Sequence, residues 1–377
     1  IDLPEEQKDF AFRFVGLIAF EDPIRDEVPQ SIKECNEAGI KVIMITGDYP
    51  ETAMSIATEI GLQHHNIVIT GDDIKAMSDL ELKEKIKHTH IFARIIPEQK
   101  LKIIQALKSL GEIVAMTGDG VNDAPALKAA DIGIAMGQKG TDVAREASSL
   151  VLLDDNFASI VSAIRLGRRI FDNLQKAMSY ILAIHIPIIG LVMLPSIFST
   201  LPILLMPLHI VFMELIIDPI CSIAFESEQE EKAIMKRNPR NVNEKFFGWN
   251  KIIYSLFEGT LLLSVVLVVY FMSINEGHTD NEVRAISFSS IIIANVFLIL
   301  TSLSKTRSVV SVLIEKNWAV ILILSIALIM LFSTIRVPFL QNIFSFEFPG
   351  YIHFISSIGI AFLMLMVLEI IKFIRLK

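Results

Sequence analysis

The chain has 377 residues, 52% of them hydrophobic, with 34 Lys and Arg against 42 Asp and Glu, a net charge of −8 and a mean hydropathy of +0.54. Residues 1–176 hold 20 basic and 28 acidic side chains and residues 177–377 hold 14 of each, so the front carries the whole net charge and the back consists of long uncharged runs. A single water-soluble domain, a disordered chain and a disulfide scaffold are excluded, the last because Cys35 and Cys221 are the only cysteines; no basic surplus points to nucleic acid.

From the N-terminus, short β-rich runs alternate with helical patterns. The predicted strands are FRFVGLIAF (12–20), IKVIMIT (40–46), NIVIT (66–70), IFARI (91–95), EIVAMT (112–117), DIGIAM (131–136) and SSLVLL (148–153). Helices are predicted over 50–61 and 97–109, the second opened by Pro97 with Glu98 in its first turn. Alternating strands and helices predict a doubly wound, Rossmann-type α/β domain with a parallel sheet. Ligands of such sheets sit beyond the carboxyl ends of the strands, so the residues directly after each strand are the first place to look for chemistry.

Three such loops stand out. Thr46-Gly47-Asp48 offers a hydroxyl donor and a glycine that lets backbone approach an anion, although Thr-Gly-Asp is also an ordinary turn. Lys100 lies early in the 97–109 helix, where a lysine either fixes a phosphate or is simply solvated. In TGDGVNDAP (117–125), Asp119 and Asp123 are four apart at a strand end, with Asn122 between them. Two hard carboxylates beside an amide suit octahedral Mg²⁺. Helix capping accounts for Asp123 alone and leaves Asp119 and its flanking glycines unexplained.

Beyond residue 177 the chain reads as a membrane domain. A hydrocarbon core of about 30 Å takes roughly 20 apolar helical residues. No charged residue occurs from Ala177 to Met213, a run too long for one span and broken by a turn at Pro195–Pro202. Six spans are expected, near 177–198, 203–224, 252–274, 285–303, 318–335 and 350–371. Basic residues crowd the 225–251 loop (Lys232, Lys236, Arg237, Arg240, Lys245, Lys251), the 304–317 loop (Lys305, Arg307, Lys316) and the tail (Lys372, Arg375, Lys377). The alternate loops hold only Arg284 and Arg336. The positive-inside rule then puts the front domain, the 225–251 loop and the C-terminus in the cytoplasm.

Acidic groups at bilayer depth are costly and mark function. Glu214 and Asp218 are four apart on one helix face, and Pro219 removes a backbone hydrogen bond beside them. Opened carbonyls next to two carboxylates make a natural cation site. Snorkelling is the plainer reading, but Asp is too short to reach the interface. His185, one turn from the helix break at Pro187, is either a packing residue or a ligand, and Asn295 is a weaker candidate of the same kind. For Glu258, in the second turn of its span, interfacial placement is preferred. Cys221 is read as packing, with a soft ligand as the alternative.

The motifs Asp22-Pro23-Ile24-Arg25, MITGD (44–48), ARIIPEQK (93–100) and MTGDGVNDAPALKAADIGIAMG (116–137) carry a resemblance. The chain resembles the C-terminal portion of a type II P-type cation-transporting ATPase, close in pattern to the sarcoplasmic-reticulum calcium pumps. The resemblance implies that residues 1–160 are the later part of a haloacid-dehalogenase-like phosphorylation domain, 161–176 a stalk helix, and 177–377 an all-α transmembrane domain of six helices. It also implies Mg²⁺ and ATP as cofactors, the lipid bilayer and a transported cation, Ca²⁺ favoured, as partners, and a missing N-terminal part with the actuator and nucleotide-binding regions. Asp119, supported by Asn122 and Asp123, would bind Mg²⁺; Lys100 and Thr46 would stabilise the transferring phosphoryl group. Gly47, Asp48 and Arg94 would line the ATP side, and Asp22 with Arg25 would sit at the hinge.

The chain departs from the family at several positions. No Asp-Lys-Thr-Gly-Thr occurs, so the phosphorylated aspartate is absent and the chain is expected to be inactive alone. Asp218 stands where the family has its central aspartate. Glu214 and His185 each replace an asparagine, while Ile188 and Asn295 stand where glutamates are expected. One ion site completed by an upstream helix is the consequence. Na⁺, K⁺ or H⁺ remain alternatives as cargo. A membrane-anchored phosphatase, a lipid-flipping relative and an inactive fragment are the alternative classes.

Overall fold

The computed structural model describes residues 6, 10–16, 18, 23–64, 66–219, 223–314 and 317–376. The chain divides into two units, one formed by Ile1–Asn36 with Lys41–Ile160, the other by Glu37–Ile40 with Val161–Lys377.

In the first unit the elements run α1 (Glu27–Glu37), β1 (Met44–Ile45), α2 (Pro50–Glu59), β2 (Val68–Thr70), α3 (Gly71–Ala76), α4 (Asp79–Ile86), β3 (Ile91–Ala93), α5 (Pro97–Ser109), β4 (Ala115–Gly118), α6 (Ala124–Ala129), β5 (Ile132–Met136), α7 (Asp142–Ala147) and β6 (Leu150–Leu152). Two parallel three-stranded sheets form, in the orders β1-β3-β2 and β4-β5-β6. Ile91 pairs with both Met44 and Val68, and Ile134 with both Thr117 and Leu150. Ile91, Phe92 and Ala93 are all fully buried, which an alternating strand allows only if helices cover both faces of its sheet. On one face Ile91 and Ala93 pack with Ile32, Ala53, Ala57 and Leu62. On the other, Phe92 joins Ile74, Leu82, Ile103 and Ile104, and Met116 and Ala135 of the second sheet enter the same cluster.

α5 occupies the predicted 97–109, because Pro97 supplies a helical φ where an orphan amide is harmless and Gln99 accepts from the Ile96 amide at 3.1 Å. β1 is shorter than the predicted 40–46 strand because it is an edge strand, paired with β3 alone. The described residues within 12–20 form no strand. Helices α3 and α4 fill the 70–87 segment, each opened by a reciprocal capping box, Thr70 with Asp73 and Ser78 with Glu81.

The second unit is all helical. α8 (Phe157–Ile197) is one continuous helix of 41 residues despite Pro187 and Pro195. It is followed by α9 (Pro207–Pro219), α10 (Trp249–Asn275), α11 (Asp280–Ser302), α12 (Val309–Ile314), α13 (Trp318–Arg336), α14 (Pro338–Phe344) and α15 (Tyr351–Leu376). Five of these, α8, α10, α11, α13 and α15, are long and apolar enough to cross a membrane. α9 begins at Pro207, later than the 203–224 span read from the sequence, and is described as far as Pro219, the residues 220–222 lying outside the described residues. The hydrophobic core gathers around α11, whose most apolar stretch is 89% buried. α8 and α10 approach almost backbone to backbone: a side chain on Gly259 would meet the Ala183 carbonyl at 2.4 Å.

Candidate functional site

β1 delivers Thr46-Gly47-Asp48 to the end of the first sheet. The Thr46 amide donates to the Phe92 carbonyl (2.9 Å), continuing the β1–β3 ladder, and the Arg94 and Ile95 amides donate back to the Asp48 and Thr46 carbonyls, each at 3.0 Å. The Thr46 hydroxyl donates to Asp48 Oδ2 at 2.7 Å and accepts from the Asp48 amide at 3.1 Å. This is an ordered turn whose hydroxyl and carboxylate lie at the protein surface. Arg94, with a left-handed φ of 54°, stacks its guanidinium 4.6 Å from the Tyr49 ring centre.

The Arg94 bend is held from beneath. Gly71 lies so close that a Cβ there would sit 2.3 Å from the Arg94 carbonyl oxygen, and the buried Gln99 amide donates to the Gly71 carbonyl at 2.7 Å. Gln99 thus fixes both the approach to α5 and the first turn that carries Lys100.

Lys100 Nζ donates to Asp123 Oδ1 at 2.6 Å. The other carboxylate oxygen of Asp123 accepts from the Asp119 and Gly120 amides, both at 3.3 Å. Asp123 is 6% exposed, and Gly118 makes room for it: a Cβ there would lie 2.6 Å from Asp123 Cβ. Asp119 and Asn122 are exposed, and among the described residues neither side chain has a hydrogen-bond partner. The Asp119 carbonyl accepts from the Thr141 amide at 2.8 Å, which fixes the main chain beneath the free carboxylate. The oxygens available to a hard cation are therefore those of Asp119 and Asn122, while Asp123 is engaged in holding Lys100 and the loop. That donor set fits Mg²⁺, which takes one or two carboxylates and completes its shell with water and phosphate oxygens.

Of the hinge pair, Asp22 lies outside the described residues; Arg25 donates to the Asp155 carbonyl. Burial opposes ionisation of Asp155, but the Gln138, Lys139 and Gly137 amides, at 3.0, 2.8 and 2.6 Å, outweigh it and hold its carboxyl below the usual range.

In the membrane unit, His185 Nε2 faces Glu214 Oε1 at 3.7 Å, with both side chains half-buried. His185 Nδ1 donates to the Ile181 carbonyl at 2.7 Å, which fixes the ring with Nε2 on the Glu214 side. Asn295 is 3% exposed, and its Oδ1 has no hydrogen-bond partner among the described residues, an unpaired acceptor inside a membrane-length helix. The Asp218 side chain and Cys221 lie outside the described residues. Glu258, read as interfacial, is 6% exposed and lines a cavity of about 600 Å³ with Lys176, Lys251, Lys305 and Lys372.

A family model described as haloacid dehalogenase-like hydrolase matches residues 2–131, and one described as cation transporting ATPase, C-terminus, matches residues 202–374. The calcium-transporting ATPase of Bacillus subtilis is 41% identical over 342 residues, 90% of this chain and 38% of that protein. The chain belongs to the P-type cation-transporting ATPases. Calcium-transporting ATPase 1 of Lactococcus lactis (36% identical, 96% of this chain, 41% of that protein) and of Saccharomyces cerevisiae (36% identical, 89% and 36%) agree. This P-type ATPase chain spans about two fifths of the length of the curated relatives it matches.

Sequence reasoning missed the buried charges beside the membrane unit of this P-type ATPase. Lys176 and Glu231 pair at 2.6 Å, and Arg307 pairs with Glu228, all four nearly inaccessible. Glu231 also accepts from the Ser304 hydroxyl (2.8 Å), the Lys305 amide (2.9 Å) and the Thr306 hydroxyl. Burial pushes its carboxyl up, but Lys176 and these donors together pull it down to about 2. The signal available in the sequence was the SEQEE run (227–231) lying inside an otherwise basic loop.

Proposed function

We propose that this chain is the phosphoryl-handling and ion-translocating part of an ATP-driven cation pump that moves calcium, coupling aspartyl-phosphate formation and hydrolysis to transport. The acceptor aspartate, the actuator and the nucleotide-binding region come from a further part of the same pump. Asp119 and Asn122 hold Mg²⁺, which when bound neutralises charge on the phosphoryl oxygens. Lys100, aimed by Asp123, and the Thr46 hydroxyl donate to those oxygens as charge develops. Gly47, Asp48 and Arg94 line the ATP side.

Residues 1–160 form the phosphorylation-domain portion, 161–176 the stalk and 177–377 the membrane domain of six helices, with the front and the C-terminus cytoplasmic. Glu214, Asp218 and Asn295 provide oxygen ligands for the cation, with His185 in the same site beside Glu214. The relay between the two chemistries runs along the unbroken α8.

The observation that carries this reading is the pairing of His185 with Glu214 across two apolar helices at 3.7 Å. An anchor for a phosphatase has no use for a carboxylate there, and a lipid-flipping relative would be expected to be neutral at these positions. The test is ATP-dependent uptake of ⁴⁵Ca²⁺ into vesicles holding the full-length pump, with Asp218→Asn as control. Uptake that the substitution abolishes is expected; absence of ATP-dependent uptake of any cation overturns the pump.

A further inference from the structure

Outside the groups just described, one cluster has the chemistry of a metal site. α10 ends at Asn275 and α11 begins at Asp280, and the connection carries Glu276 and His278; His353 lies in the first turn of α15, which packs beside both helices. One ligand atom from each of Glu276, His278 and His353 can be chosen so that all three lie within 4.8 Å of one another.

The separations favour a shared ion over direct hydrogen bonds. Glu276 Oε2 lies 3.4 Å from His278 Nε2 and 3.7 Å from His353 Nδ1. A good N–H···O bond spans about 2.7–3.2 Å. Two ligands on a tetrahedral zinc, each about 2.0–2.1 Å from the metal, stand about 3.4 Å apart. The imidazoles meet edge to face at 4.5 Å between centroids, with a nitrogen of each within 4.8 Å of the other and of a Glu276 oxygen.

The second layer is also in place. His278 Nδ1 faces Glu282 Oε2 at 3.1 Å, and the same carboxylate oxygen accepts from the Thr279 amide at 3.0 Å. That contact engages Nδ1 and leaves Nε2 as the ring nitrogen facing Glu276, the carboxylate–histidine arrangement that orients metal-bound imidazoles. The two imidazole side chains are only 17% and 18% exposed, whereas Glu276 is 48% exposed. The nitrogens are preorganised and the carboxylate side is open to an entering ion.

We propose that Glu276, His278 and His353 bind a borderline divalent transition-metal ion, Zn²⁺ being the one the donors suit best, with a water in the fourth position. Two nitrogens and one carboxylate disfavour Mg²⁺ and Ca²⁺, which take oxygen. The bound ion ties the α10–α11 connection to the head of α15. The site stands apart from the pump reading, since none of its three residues belongs to the phosphoryl or transport groups.

The test is Zn²⁺ titration of the 377-residue chain in lipid nanodiscs, against a chromophoric chelator, with His278→Gln/His353→Gln as comparison. One equivalent bound in the unsubstituted chain, weakened at least 10-fold in the double variant and not displaced by excess Ca²⁺ or Mg²⁺, is expected. Equal affinity in both proteins, or no binding in either, overturns the site. Carbethoxylation mapping of the unsubstituted chain, with and without Zn²⁺, keeps the question decidable if the variant fails to fold. Protection of His278 and His353 among the eight histidines supports the site, and protection of neither refutes it.

Discussion

The water-facing loops of the first unit and the helix bundle of the second hold their polar groups in opposite ways. At the ends of β1 and β4, side chains are surrounded by main-chain donors: Asp123 takes two amides and Lys100, and Asp48 takes Thr46. The groups left without partners, Asp119 and Asn122, are exposed, where water keeps the cost of waiting for a ligand low. In the bundle, Asn295 Oδ1 is sealed away with no partner among the described residues, and the buried acids of the adjoining loops are fully paired. The first unit keeps its unsatisfied groups where they cost little, whereas the bundle seals several away, the Ser255 and Ser287 hydroxyls as well as Asn295 Oδ1.

This contrast can be broken by experiment. The largest effect is expected at Arg307→Ala, which strands the buried Glu228 carboxylate and should cost about 3–5 kcal/mol, read as a fall in the unfolding midpoint in detergent. A loss under about 1 kcal/mol would mean that the pair is reached by water. Lys100→Ala, by contrast, should leave the folded protein in the membrane while slowing phosphoenzyme formation in the full-length pump about 10²–10³-fold. Normal turnover would remove Lys100 from the chemistry.

Acid should act through Glu231. The Glu231 carboxyl is held down from 4.5 to about 2. Its contribution of roughly 3 kcal/mol is therefore complete above pH 4.5 and lost as pH falls from there to about 2. Glu231→Gln should flatten that part of the stability profile, and an unchanged acid limb would contradict it. Gly118→Ala, which drives a methyl into Asp123, should cost about 1–3 kcal/mol and loosen Lys100. The smallest effect is expected at Asn295→Leu: removing an unpaired buried amide should be near neutral for stability or slightly favourable, while cation uptake by the full-length pump falls. Marked destabilisation would show that Asn295 is a packing residue.

Much of this was legible in the sequence, and the gaps have physical causes. α5 could be bounded to the residue because Pro97 announces its start. Strands were located but drawn too long, since an apolar run continues past the point where a partner strand stops pairing, as Ile40–Ile43 does before β1. α1 fills one of the helical stretches expected between strands without having been given bounds, and its sequence, EVPQSIKECNE, buries Ser31, Ile32 and Cys35. α9 starts at Pro207 and not at 203, because hydropathy does not register the proline that opens it. At the loops after β1 and β4 the residue types and spacing singled out the groups on which the proposed function rests, but not which of them pair with each other. That Lys100 occupies Asp123 and leaves Asp119 free depends on α5 packing against the loop after β4, a contact between segments some twenty residues apart. Glu231 and Arg307 were invisible for the same reason, their partners lying 55 and 79 residues away in sequence.

The Glu231 carboxylate has a mechanical consequence. It grips Lys176 on α8 and, at the same moment, the hydroxyls and amides of Ser304, Lys305 and Thr306. A helix turning about its own axis at that level cannot slip past the two connecting segments; it must carry them along, like a key carrying its wards. Torque delivered to α8 would reach the segment between α11 and α12 through this carboxylate and through the Asn173 amide, which donates to the Glu228 carbonyl at 2.8 Å, so removing Glu231 should weaken that coupling.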